Sequence, residues 1–224
     1  ILKVRGRVVP STLTDIQLQA EMTDGTIVSG ESKIPEARKR IKKMLMCPEN
    51  APATSGAVEA ILKADVLIFG PGSLYTSVIP NLLVKEIREA VVKSEAVKIY
   101  VCNVMTQPGE TDGYGAFEHV KALLDHVGEQ FLDYVIVNDE KISAEQLKQY
   151  FAEGAMPVTP DIDKIRRLGI TVVPASLISK KNLVRHEPKK LSRVLITLIY
   201  RLRLFGKGVQ FFDYIFMRHG LNIM

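Results

Sequence analysis

Three stretches of this chain carry residue types that could do chemistry, and each follows an apolar run. Val66 to Phe69 is unbroken and apolar; Gly70-Pro71-Gly72-Ser73 stops it, with Thr76 and Ser77 just beyond. Strand, glycine turn and helix start together form the arrangement in which free backbone N–H groups gather around an anion. The spacing is neither the dinucleotide fingerprint nor the lysine-bearing phosphate loop. A second run ends at Cys102-Asn103, followed by Met105-Thr106-Gln107-Pro108-Gly109-Glu110-Thr111-Asp112. A third ends at Asn138-Asp139-Glu140. No lysine or arginine appears in these loops before Lys141, so an anion there would rest on N–H groups, hydroxyls and helix dipoles. Each residue also has a plain structural use. Gly70 and Gly72 allow a tight turn, Ser73 caps a helix, and Asn103 and Asn138 tie loops together.

Other candidates are single residues with two readings each. Glu110 and Asp112 suit a Mg²⁺ ion shared with substrate phosphates, or are solvated loop acids. Tyr75 packs a base or shields a helix start. Tyr150 stacks on a base or fills the core, and Arg185 reaches a diphosphate or pairs with Glu187. His119 and His126 lie on one helix face but two turns apart, too far to share an ion. No nucleophile elbow or serine–histidine constellation is present.

These loops need strands to hold them. Leu2–Val9 and Asp15–Ser29 show period-two character, with Asp24-Gly25 as a hairpin turn. Pro35–Lys43 reads as a helical turn running into Met44-Leu45-Met46, closed by Cys47-Pro48. Thereafter helices and solid apolar runs alternate. Helices are expected at Ser55–Lys63 (Ser55 as N-cap), Asn81–Lys93, Tyr114–Val127, Ser143–Ala152 and Pro188–Leu198, with strands at Val66–Phe69, Val97–Cys102, Asp133–Val137 and Ile170–Pro174. Such alternation gives an α/β fold: a Rossmann-like three-layer domain with a mostly parallel sheet, its strands covered on both faces, and an antiparallel hairpin insertion. Ligands then bind beyond the carboxyl ends of the strands, where the three loops lie. Residues 1–200 form this domain, and 201–224 an atypical tail. That tail is a last packed element or an amphipathic segment for a membrane surface or partner.

At 224 residues and 46% hydrophobic, the chain buries a sizeable core. Its net charge of +5 and pI near 9.1 sit late in the chain without interleaved aromatics, which fits a solvated basic face rather than nucleic-acid binding. Cys47 and Cys102 lack metal spacing, and Cys102 reads as a small buried hydrophobe. No signal peptide or membrane span is visible, so the expected location is the cytoplasm. The chain opens on Ile1 in strand-like sequence, so a preceding segment is expected in the natural protein.

Two motifs resemble the YvcK-type gluconeogenesis factor family: Gly70-Pro71-Gly72-Ser73-Leu74-Tyr75-Thr76-Ser77-Val78-Ile79-Pro80-Asn81-Leu82-Leu83-Val84 and Cys102-Asn103-Val104-Met105-Thr106-Gln107-Pro108-Gly109-Glu110-Thr111-Asp112-Gly113-Tyr114. Arg5-Gly6-Arg7-Val8-Val9-Pro10-Ser11-Thr12 and Leu183-Val184-Arg185-His186 fit the same family, which belongs to the wider 2-phospho-L-lactate transferase superfamily. The resemblance implies a Rossmann-like fold binding a nucleotide ligand, UDP-N-acetylglucosamine, in a regulator of cell shape and wall maintenance on gluconeogenic carbon. The wider superfamily implies Mg²⁺-dependent transfer as the alternative, with no other cofactor. Carried over, Gly70, Gly72, Ser73, Thr76 and Ser77 form the phosphate cradle. Asn103, Thr106 and Asn138 line it, Tyr150 and Arg185 reach the nucleotide, and Glu110 and Asp112 are the metal candidates. A homo-oligomer stays open. The family's amino-terminal portion, with its Gly-Gly-Gly-Thr-Gly turn, is absent from this sequence. Half a pocket and an exposed sheet edge are the expected result. The family often reads Arg-His-Asp-Pro or Arg-His-Asp-Thr where this chain has Glu187-Pro188, and the sequence after Tyr200 does not resemble the family.

Overall fold

The computed structural model describes residues 6–179 and 184–205, apart from the side chains of Gln149 and Phe205. The expectations for Leu2–Arg5, Leu183 and the tail beyond Phe205 lie outside the described residues, and Gly6–Val9 is not a strand.

β1 (Gln17–Met22) and β2 (Ile27–Ser29) form the expected hairpin, with Gly25 at φ 84° in the turn. Asp24 accepts hydrogen bonds from the Thr26 N–H and hydroxyl and pairs with Lys39, which holds its carboxyl well below the ordinary carboxylate range. The helical reading of Pro35–Lys43 and beyond is corrected. Helix α1 is a single turn (Lys33–Glu36), Arg38 takes φ 46°, and Ile41–Cys47 is strand β3, paired antiparallel with β1. The insertion is therefore a three-stranded sheet in the order β2-β1-β3. Its inward residues Ala20, Met22, Ile34 and Met44 are fully buried in the main core.

The rest is the parallel α/β unit. Helix α2 (Ser55–Lys63) follows Thr54, whose hydroxyl bonds the Pro10 carbonyl at 2.6 Å instead of capping the helix. Strands β4 (Val66–Phe69), β5 (Val97–Val101), β6 (Tyr134–Asn138) and β7 (Thr171–Ala175) pair in sequence order, all parallel. A π-helical turn (Leu74–Val78) leads into α3 (Ile79–Leu83), and extended Val84 separates it from α4 (Lys85–Lys93), where the sequence suggested one helix. After β5 comes α5 (Ala116–Val127), and after β6 come α6 (Ala144–Glu153) and α7 (Ile162–Arg166), the last not foreseen. Ser143 caps α6 as expected, accepting from the Gln146 N–H. Finally α8 (Pro188–Phe205) runs through Tyr200 without a break.

Alternate residues of the parallel strands face two cores. Tyr100, Val135, Val137 and Val172 pack with α3, α4, α5, α7 and the antiparallel sheet, whereas Val97, Ile99, Val101, Tyr134, Ile136 and Val173 pack under α6 and α8. Leu191, Leu198 and Leu202 form the buried stripe of α8, so the first residues of the tail belong to the packed element. This second layer reaches β4 only at Val66. Ile68 is 43% exposed and β4 is an edge strand, so it is not covered on both faces, and the exposed edge anticipated from sequence is present. No helix of the described residues is long and apolar enough to cross a membrane.

Candidate functional site

The parallel strands β4, β5 and β6 end on the same side of the sheet, and there the loops after β4 and β5 meet. The glycine turn leaves β4 with Gly70 at φ +88°, and a Cβ there would lie 3.1 Å from the Val101 carbonyl. Glycine is thus needed both for conformation and for close approach to β5. Beyond it the predicted residues divide between two places.

Ser73 and Thr76 turn toward the β5 loop. The Asn103 amide donates to Gln107 Oε1 at 3.2 Å, and Gln107 Nε2 donates to Ser73 Oγ at 2.8 Å. The Gln107 backbone N–H in turn donates to Thr111 Oγ1 at 2.8 Å. Thr76 Oγ1 donates to Glu110 Oε1 at 3.2 Å, and the Tyr75 and Thr76 N–H groups also reach that carboxylate. An internal carboxylate therefore sits at the start of the π-helical turn, where the sequence suggests an outside anion. Glu110 is only 7% exposed; burial raises its pKa above the usual carboxylate range, against the pull of these donors. Glu110 Oε2 and Asn103 Oδ1 are buried with no hydrogen-bond partner among the described residues.

Gly70, Gly72 and Ser77 instead line a groove of ≈ 540 Å³ along β4. Arg7, Ser11 and Asn81 also line it, together with the apolar Ile61, Leu67, Phe69 and Val91. Ser11 Oγ donates to Asn81 Oδ1 at 2.5 Å, and Asn81 Nδ2 donates to the Ser77 carbonyl at 2.8 Å. Arg7 makes no ion pair among the described residues. It supplies the cation that the three loops lack.

The remaining candidates do not line this groove. Thr106 is buried, its hydroxyl accepting from the Met156 N–H at 2.8 Å. Asn138 ties β6 to the segment after β7, donating to the Glu140 carbonyl and accepting from the Leu177 N–H. The Tyr150 hydroxyl accepts from the Val184 N–H at 2.8 Å, and its ring packs on the α8 side of the core. Arg185 is exposed, and its carbonyl accepts from the Ser179 N–H. Next to it His186 donates from Nε2 to the Cys102 carbonyl at 3.2 Å, and burial lowers its pKa. Cys102 is buried and its thiol pushed up to about 12, as a small hydrophobe would be.

Asp112 does not join Glu110. Its carboxylate closes the turn on the Gly109 N–H at 2.6 Å, and no group of three His, Cys, Asp or Glu side chains among the described residues is placed to hold a metal. Glu110 and Asp112 are thus held by separate donors, Thr76 and the Gly109 N–H. Sequence reasoning left Gln107, Asn81, Arg7 and Ser11 out of the site. All four lie inside the quoted motifs, but only the fold brings Arg7, Ser11 and Asn81 to one groove.

Residues 1–178 match the model of the family described as 2-phospho-L-lactate transferase CofD. The chain belongs to the CofD family. It is 46% identical over 200 residues to a protein named gluconeogenesis factor in Bacillus subtilis (strain 168), covering 89% of this chain and 63% of the relative. A putative gluconeogenesis factor of Clostridium acetobutylicum is 40% identical over 227 residues, covering 99% of this chain and 50% of that protein. A crystal structure of a UPF0052 family member from Bacillus halodurans superposes with a TM-score of 0.84 at 46% identity, over 87% of this chain and 63% of that one. This CofD-family chain thus spans less than two thirds of the length of each of these relatives.

Proposed function

We propose that this chain is the nucleotide-sugar-binding part of a cytoplasmic gluconeogenesis factor, a regulator with a role in cell shape and wall maintenance, and that UDP-N-acetylglucosamine is its ligand. The groove beside the glycine turn carries this reading. Its lining combines apolar side chains, suited to a base or sugar face, with the polar Arg7, Ser77 and Asn81. Those polar groups suit a diphosphate, since a guanidinium and hydroxyl or amide donors are what its oxygens need. The names of the relatives support the same reading.

Isothermal titration of the chain with UDP-N-acetylglucosamine tests it. Saturable heat is expected, weakened about tenfold or more by Arg7→Ala, the loss of one charge-assisted contact. No heat at millimolar ligand would sink the idea. The transferase alternative has the family match behind it. It requires that Glu110→Ala or Asp112→Ala abolish product formation in a folded protein, with Mg²⁺ and a guanine nucleotide supplied. Unchanged turnover in both variants would dismiss these roles.

A further inference from the structure

A second cavity lies on the other side of the π-helical turn, between β3 and α5. We propose that it binds a small monocarboxylate. Its volume is ≈ 210 Å³, about seven waters at roughly 30 Å³ each. Tyr75 and Tyr114 line it, with Arg40, Lys42, Glu118 and Lys121 among the polar residues around it.

Two unmet groups face this space. The first is a phenolic proton. The Tyr75 and Tyr114 hydroxyls meet at 2.8 Å, and one hydrogen bond uses one of their two protons. The other has no protein acceptor among the described residues. The second is Arg40, whose guanidinium lies 5.8 Å from the centroid of the Tyr114 ring. Lys42 and Lys121 are paired with Glu21 at 2.6 Å and Asp125 at 2.8 Å, whereas Arg40 makes no ion pair among the described residues. Glu118 is likewise engaged, accepting from the Gly115 N–H at 2.8 Å. His126, also on the wall, offers nothing to a ligand: Nδ1 donates to the Ala122 carbonyl at 2.6 Å and Nε2 accepts from the Met44 N–H at 2.9 Å.

A single carboxylate answers both groups, taking the guanidinium on one side and the phenol on the other. The nearby Glu118 and Asp125 carboxylates disfavour a dianion, because like charges at such range repel. The cavity is also joined to the strand-end loops. Tyr75 lines the cavity while the adjacent Thr76 hydroxyl donates to Glu110, so occupancy bears on the same turn that shapes the first site.

The test is a titration of the 224-residue chain with sodium propionate, sodium benzoate and sodium phosphate at fixed ionic strength, read by NMR at the Arg40 Nε–H and the Tyr114 ring. Propionate or benzoate is expected to give saturable shifts, weakened about tenfold in Arg40→Met, an exposed and structurally mild change. Tyr114→Phe is expected to weaken them less, because one hydroxyl remains. Absence of saturable shifts at millimolar carboxylate would overturn the proposal. So would equal binding of propionate by Arg40→Met, or shifts from phosphate as large as those from the carboxylates.

Discussion

His126 can hold its place in only one protonation state. Nδ1 must carry the proton that goes to the Ala122 carbonyl, and Nε2 must be bare to accept from the Met44 N–H. Burial lowers its pKa, as it does for His119 and His186, and Lys43 pushes the same way for His126 against Asp125. A lowered folded-state pKa means that the unfolded chain binds more protons below about 6.5, so this stability is complete above that pH and is lost as pH falls. Urea unfolding should show the midpoint dropping from pH 7 toward pH 5. His126→Ala should cost about 1–3 kcal/mol at neutral pH by orphaning the Met44 N–H, and should reduce the acid sensitivity. Glu110 has the opposite sign. Its raised pKa makes the folded state the better proton binder just above 4.5, so stability is lost as pH rises through that window. Glu110→Gln should remove this component, and parallel unfolding curves for variant and native chain across pH 4.5–7 would refute it.

At the scale of elements, β6 was legible because a strand buried on both faces needs an unbroken apolar run, which Tyr134–Val137 supplies, and β5 because Val97–Val101 departs from one only at Lys98, whose ammonium is buried on the Ser94 carbonyl. β3 was not. Its register against β1 slips between Glu21, opposite Lys43, and Met22, opposite Ile41, so Lys42 is an extra residue. That bulge sets the buried Ile41 and Met44 three apart, the spacing of a helix face, and two exposed lysines between them complete the disguise. The short α7 carries too few residues for any period to show. The loops of the site were readable as polar and small, but their division between the groove and the Gln107 network was not, since it depends on which way the π-helical turn faces. Gly109 is a sharper case. It has φ +82°, and a Cβ would fall 1.9 Å from the Pro35 carbonyl oxygen, so the β5 loop packs backbone to backbone on α1. Gly109→Ala should lose more than about 2 kcal/mol in chemical denaturation, a far larger effect than alanine at the open Gly113.

For the whole molecule, the fold class was readable because alternating helices and apolar strands admit few layerings, whereas coverage of β4 depends on where the α6–α8 layer ends. That layer leaves Ile68 open beside a free strand edge, an arrangement that invites edge-to-edge pairing. Sedimentation at rising concentration should show self-association that Ile68→Lys reduces without lowering the unfolding midpoint; an unchanged profile would mean that the edge is not the contact. The chain beyond the carboxyl end of β5 is held differently. The Thr106 N–H donates to the Met156 carbonyl, the Met156 N–H to Thr106 Oγ1 and the Val158 N–H to the Val104 carbonyl, stitching the β5 loop to the segment between α6 and α7. These amides lie outside every strand, yet their protons should exchange with solvent as slowly as those of β6. Deuterium uptake should then find Thr106, Met156 and Val158 opening together, in one event that costs as much as breaking the sheet.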